Sequence, residues 1–239
     1  MFFRRRIGGA AGAGLLALVS GGCLGRLPIA REDPGAELVA EARRNEVGGL
    51  HDPCGPVGLW GPWVEHNGGP ELRAPLADAR LSARRDLRLG LEVLEREMAL
   101  RSQHPALLAA RGTLLAEMGF LRAGEQDLEH ALRLRPDTSC FWWALGEVRR
   151  KLRLLHGADE ALARAYGLGE RHPALLLALA EVKGARGDAR QAAVFYARRA
   201  WTLESQGQLD LARHAYEEAL RVETDPRRRE HLETRLAAR

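Results

Sequence analysis

Small residues return at a fixed interval along the second half of the chain, each set followed four places later by a bulky apolar one. Gly112 recurs as Gly146 and Ala180, Gly124 as Ala158 and Ala192, and Leu128 as Leu162 and Tyr196, always 34 residues apart. Self-similarity at that period marks stacked structural repeats, none of which can bury its apolar face alone. The small residues fall where two antiparallel helices must cross closely. Upstream, Leu87, Leu91, Leu94 and Met98 form one helical stripe, stopped by His104 and Pro105. Gly90 and Leu94 precede Gly124 and Leu128 by the same 34, so this helix is the second half of a degenerate first repeat. The pattern predicts an all-α chain of helix hairpins over residues 75–239.

The clearest unit runs from Pro105 to Asp137. There Leu108, Gly112, Leu115, Gly119, Leu121, Gly124, Leu128, Ala131 and Pro136 stand at spacings that resemble a tetratricopeptide repeat. Gly112 and Gly124 are expected where the helices press together, Gly119 at the turn and Pro136 at the close, with Leu115, Leu121 and Leu128 filling the seam. The next unit keeps Trp142, Leu145, Gly146, Ala158, Leu162 and Ala165, but Arg149 and Arg153 stand where a bulky apolar residue and a turn glycine are expected. An irregular turn is predicted there. A third unit keeps Leu176, Ala180, Gly187, Ala192 and Tyr196.

After it the register jumps by 20: Gly187 is echoed by Gly207, Ala192 by Ala212 and Tyr196 by Tyr216. The jump predicts one helix, from about Ala189 to Gln206, serving as the second helix of one unit and the first of the next. Asp225 and Pro226 then open a polar helix, expected to cap the exposed end of the stack. The resemblance implies a right-handed α-solenoid that binds rather than catalyses, with repeat packing at Gly112, Gly124, Gly146, Ala158, Ala180, Ala192 and Ala212. It also implies a groove lined by the first helix of each pair. The residues on those helices pointing away from the seam are Glu117, Trp143, Glu147, Arg150, Lys151, Leu177, Glu181, Trp201 and Glu204. Trp143 follows Trp142, and neighbours on a helix cannot both face one seam. The register selects Trp143 as the exposed one. Some family members grip a C-terminal carboxylate with Lys and Asn at matching places, which here hold Ala109, Thr113, Trp143 and Glu147; indole, Glu and Arg suit a helix or extended segment of mixed charge instead.

The first 23 residues have another character. Arg4 to Arg6 precede an apolar run from Ile7 to Val19, then Ser20, Gly21, Gly22 and Cys23. That order is a secretory signal, with an apolar run too short for a membrane-spanning helix. A cysteine after small residues resembles the bacterial lipoprotein signal, although Ser20 stands where a leucine-like residue is preferred. The resemblance implies a signal peptide at 1–22, lipidation of Cys23, and, with Leu24 in place of an aspartate, an outer-membrane anchor facing the periplasm. Residues 23–74 read as a Gly/Pro-rich leader: breakers crowd between Pro53 and Pro70, one short helix fits Ala36 to Arg44, and Val57, Leu59, Trp60, Trp63 and Val64 are too apolar for a solvated tether. That stretch is expected to dock on the protein's own first helices.

Composition adds exclusions. Only 5% of residues are aromatic, which favours helix over sheet. The formal net charge is +4, but Arg4 to Arg6 leave with the signal, so about +1 remains. The remaining basic side chains alternate with acids instead of gathering on one face, which argues against nucleic acid. Cys54 and Cys140 either pair in an oxidising compartment or stay as thiols. His51, Asp52, Cys54 and His66 match no zinc spacing, and standard nucleophile, phosphate and haem motifs are missing. No catalytic residue, metal site or cofactor is assigned, and the expectation is a non-enzyme: a membrane-tethered scaffold for another envelope protein. Two alternatives stay open: an enzyme using groove carboxylates on carbohydrate, and a metal- or redox-binding leader centred on Cys54.

Overall fold

The computed structural model describes residues 68–237. The signal segment, Cys23, the leader with its apolar stretch, and the cluster around Cys54 lie outside them. Among the described residues there are ten α-helices and no strand: α1 Pro70–Arg85, α2 Leu87–Leu100, α3 Pro105–Glu117, α4 Leu121–Leu134, α5 Ser139–Lys151, α6 Leu155–Gly167, α7 Pro173–Ala185, α8 Ala189–Ser205, α9 Leu209–Val222 and α10 Pro226–Ala237. None is long and apolar enough to cross a membrane. The fold is a tetratricopeptide-like α-solenoid. It begins five residues earlier than Pro75: the positive φ of Gly69 and Pro70 at the first helical position start α1, and Pro75 lies inside it.

Local chemistry sets each start. Pro105 and Pro173 open α3 and α7, their missing N–H costing nothing in a first turn. The preceding His104 and His172, two repeat lengths apart, accept from Ala106 N and Ala174 N through Nδ1 at 3.3 and 3.1 Å. Asp86, Asp188 and Asp225 cap α2, α8 and α10 in the usual carboxylate manner.

Consecutive helices pair as α1–α2, α3–α4, α5–α6 and α7–α8, and each hairpin stacks on the next. The seam within a hairpin is governed by backbone approach. A Cβ on Gly124 would stand 2.5 Å from the Gly112 carbonyl oxygen, and one on Gly112 would stand 2.8 Å from that of Gly124. In the next hairpin a Cβ on Gly146 would meet Leu162 at 2.6 Å, and in the first, one on Gly90 would meet Ala83 at 2.5 Å. The remaining packing positions, Ala158, Ala180, Ala192 and Ala212, are fully buried.

The irregular turn predicted at Arg153 does not occur. Gly119, Arg153, Gly187 and Gly207 all have positive φ, at 90, 62, 85 and 74°, and each turn closes with the same bond, as in Phe120 N to Leu115 O at 2.8 Å and Leu154 N to Arg149 O at 2.9 Å. Arg153 therefore adopts the left-handed conformation without being glycine. The two closing bonds that match its neighbours show why: the hairpin geometry fixes the turn, and the residue conforms at a cost of about 1–2 kcal/mol.

Helix α8 packs against both α7 and α9, which is the physical meaning of the 20-residue jump. One apolar cluster runs from Leu72 to Val182 with Phe195 of α8 against it; a second joins Ala200 and Leu203 of α8 to Ala212, Tyr216, Ala219 and Leu232. The polar cap α10 is thus held by one buried leucine.

Two stability effects follow. Gly124→Ala forces backbone apart and should cost about 2 kcal/mol, lowering the thermal midpoint by roughly 4–8 °C. Arg153→Gly should do the opposite: strain relief exceeds the extra freedom of the unfolded chain, roughly 0.5–1 kcal/mol, so a rise of about 1–3 °C is expected. Both are read by circular-dichroism melts; an Arg153→Gly protein that melts lower would refute the strain.

Candidate functional site

On a helix, the residue two places before a seam position lies about 160° round from it. Ala110, Ala144 and Ala178 stand in that relation to Gly112, Gly146 and Ala180, so they point away from the second helices, on the face available as a groove. That face has two halves. Near the start of the helices it is apolar and buried: Ala106, Ala109 and Ala110 on α3 and Cys140, Trp143 and Ala144 on α5 are each no more than 2% exposed. Near the ends of α3, α5 and α7 it is charged and half-exposed. Lys151 Nζ donates to Glu117 Oε1 at 2.9 Å, across one repeat, and Arg150 donates to Glu147 at 2.9 Å and to Glu181 at 3.2 Å. These pairs border a cavity of about 370 Å³ lined by Arg150, Lys151, Arg153, Glu181 and Val182 among others. Each exposed pair is worth about 0–1 kcal/mol, so an incoming group of either charge can exchange with them at little cost.

The sequence-selected residues divide accordingly. Glu117, Glu147, Arg150, Lys151 and Glu181 form the charged half, and Leu177 is half-buried on α7 beside it. Trp143 is a correction: it is 1% exposed, with its ring centroid 5.3 Å from that of His172. Trp142 is the partly exposed indole, donating to Pro136 O at 2.7 Å. Trp143 does face away from the seam, as its register requires; facing away from the seam is simply not the same as facing water. Trp201 and Glu204 belong elsewhere, against the cap. Arg235 of α10 lies over the Trp201 ring at 5.2 Å, and Glu204 accepts from Tyr216 Oη at 2.9 Å. Burial pushes the Tyr216 hydroxyl up to about 12, which keeps it a donor. Cys140 is disulfide-bonded; the other two cysteines, Cys23 and Cys54, lie outside the described residues.

The family model of the tetratricopeptide repeat matches residues 193–226. That stretch covers most of α8, all of α9 and the start of α10, the unit whose first helix is shared. The chain is a tetratricopeptide-repeat protein. Solved structures similar to it include that of MamA, at 16% identity over 59% of this chain and 90% of that one, with a TM-score of 0.44. Another is TTC0263, a thermophilic tetratricopeptide protein of Thermus thermophilus, at 20% over 70% and 97%, TM-score 0.44. YrrB, described as having an unusual peptide-binding site, follows at 17% over 75% and 100%, TM-score 0.46. Likeness at such identities concerns the fold alone. No curated protein sequence matches the chain.

In this tetratricopeptide stack the repeats are joined by ion pairs that the sequence reading missed. Glu125 of α4, 8% exposed, accepts from Arg149 of α5 at 3.0 Å; 34 residues on, Asp159 of α6, 6% exposed, accepts from Lys183 of α7 at 3.0 Å and from Arg186. The acid and the base both recur at the repeat interval, and that recurrence was the available signal. Arg149 looked like a departure from an apolar position, but it reaches Glu125 and, at 2.7 Å, Glu129. Removing one partner of a buried pair strands the other. Arg149→Leu should therefore cost about 2 kcal/mol, although it restores the usual apolar residue, and Glu125→Leu with Arg149→Leu should return to within about 1 kcal/mol of the parent. A double-mutant cycle by urea unfolding measures both; additive effects would show that the pair is not coupled.

Proposed function

We propose that this chain is a lipid-anchored scaffold of the bacterial cell envelope that holds a segment of another envelope protein against the charged half of its groove. Tetratricopeptide folds are protein-interaction scaffolds, and the groove supports that reading here. The observation that carries it is the row of half-exposed, mutually exchangeable ion pairs formed by Glu117, Lys151, Glu147, Arg150 and Glu181 around an open cavity. Such a surface suits a helix or extended segment bearing both signs of charge. The signal-like residues 1–22 and Cys23 support export and lipid attachment at the outer membrane, facing the periplasm. Assembly of pili or secretion machinery and positioning of cell-wall enzymes are tasks of the kind such a scaffold serves.

The carbohydrate-enzyme alternative gains no support from these acids. Inverting or retaining hydrolysis needs two carboxyls facing each other across a substrate, whereas Glu117, Glu147 and Glu181 each hold a cation, and Glu147 and Glu181 share the same one.

The test is crosslinking in the native cell followed by mass spectrometry, comparing the parent with Arg150→Glu/Lys151→Glu and with Arg213→Glu, a reversal on exposed α9. A partner whose yield falls at least fivefold for the groove variant and not for Arg213→Glu is the expected result. Equal loss or no loss in both would remove the charged groove from the interface.

A further inference from the structure

The apolar half of the groove is buried on a side that no second helix covers. Across three repeats the same positions are shielded: Leu107, Phe141 and Leu175 are 0% exposed, and Ala110, Ala144 and Ala178 are 0, 1 and 3%. Helices α3 and α7 carry apolar residues all round their circumference, and such a helix requires cover on every face. Among the described elements, α3 packs on α2, α4 and α5, its flanking helices and its seam partner. Trp143 buries its Nε1 there without a hydrogen-bond partner, an arrangement that leaves a donor for a neighbouring carbonyl. At the same edge, Cys140 in the first turn of α5 is disulfide-bonded, and both other cysteines precede residue 68.

We propose that the leader segment 54–67 occupies this apolar half as an internal ligand, tethered by a disulfide between Cys54 and Cys140. The proposal stands apart from the envelope role, except that Cys23 is set aside as the lipidated residue. The chemistry of the segment fits. Val57, Leu59, Trp60, Trp63 and Val64 supply apolar side chains, Pro56 and Pro62 keep it extended, and Glu65 is its one acid. An extended strand also brings unpaired carbonyls to the Trp143 donor. Reach is sufficient. His104, at the start of α3, is held below the usual histidine range by burial and then by Arg135 and Arg101, while Glu71 opposes them. The start of α1 therefore lies on the edge that carries the starts of α3 and α5. Two helix spacings are about 20 Å, and the 13 residues between Cys54 and Gly68 span up to about 45 Å. Forming the bond removes two protons and two electrons from the thiols, passed to a disulfide-carrying oxidant by thiol–disulfide exchange. The occupied half then leaves only the charged half free for a partner.

The test uses the full mature chain, purified without reductant. Peptide mapping should find Cys54 joined to Cys140. A fluorescein-labelled synthetic peptide of residues 54–67, with serine at 54, should bind the variant Cys54→Ser/Trp60→Ser/Trp63→Ser at least tenfold more tightly than the parent, whose tethered segment competes at an effective concentration of about millimolar. If that variant melts early, Cys54→Ser alone is used, and a threefold tightening is required. Cys140 found joined to Cys23 or free, equal affinities, or no binding by any form would overturn the proposal. Loss of the crosslinked partner in the charged-half variants bears on the envelope reading alone.

Discussion

Everything in this stack hangs on how closely two helix backbones can approach. Glycine at 112 and 124 lets α3 and α4 meet with a carbonyl oxygen where a side chain would otherwise be, and that contact fixes which way every other residue of the hairpin faces. Rotating either helix by one residue would turn about 100° of surface, moving the ion pairs of the groove into the seam. The glycines therefore set the groove as well as the core. The same constraint holds the left-handed turn: with both helices pinned at the crossing, the connection has one geometry, and Arg153 accepts the strain that Gly119, Gly187 and Gly207 avoid.

The repeat interval made the fold readable. Seam positions have a steric requirement that only the smallest residues meet, so Gly112, Gly124 and Gly146 announced themselves, and the 20-residue step correctly implied the shared helix α8. What failed to show was anything that depends on a second surface. Trp143 faces away from the seam as its register requires, yet it is buried, because exposure depends on what else lies over the face. Arg149 looked like a lapse since its partner, Glu125, sits 24 residues away on another helix; only pairing the recurrence of acids with that of bases would have exposed it. The charged half of the groove was legible because charged side chains on a helix resist burial in any tertiary setting.

The buried pairs between repeats and the exposed pairs along the groove use the same chemistry to different ends. Glu125 and Asp159 are within a tenth of full burial, where an unpaired charge costs several kcal/mol; those pairs fix the stacking of one hairpin on the next and penalise any slip of register. Glu117 with Lys151 and Arg150 with Glu181 keep much of their exposure, where a pair contributes less than about 1 kcal/mol. The first set cannot exchange partners without unfolding the interface. The second can, and that difference in solvent access separates scaffold from binding surface within one charge pattern.

The shared helix adds an asymmetry. Because α8 serves two units, its two ends belong to different apolar clusters, and the connection between them is the helix itself rather than continuous side-chain packing. Its outward face is also the one covered by α10, through Arg235 over Trp201 and toward Glu204 at 4.0 Å. The groove of α3, α5 and α7 therefore does not continue open along α8: the C-terminal cap occupies the next step. A ligand of this protein meets a short, bounded surface of three helices, closed by the cap at one end, with its apolar half already buried. Selectivity on such a surface has to come from the placement of a few charges rather than from length of contact, which is why the ion pairs at the ends of those three helices matter more than their modest individual strength suggests.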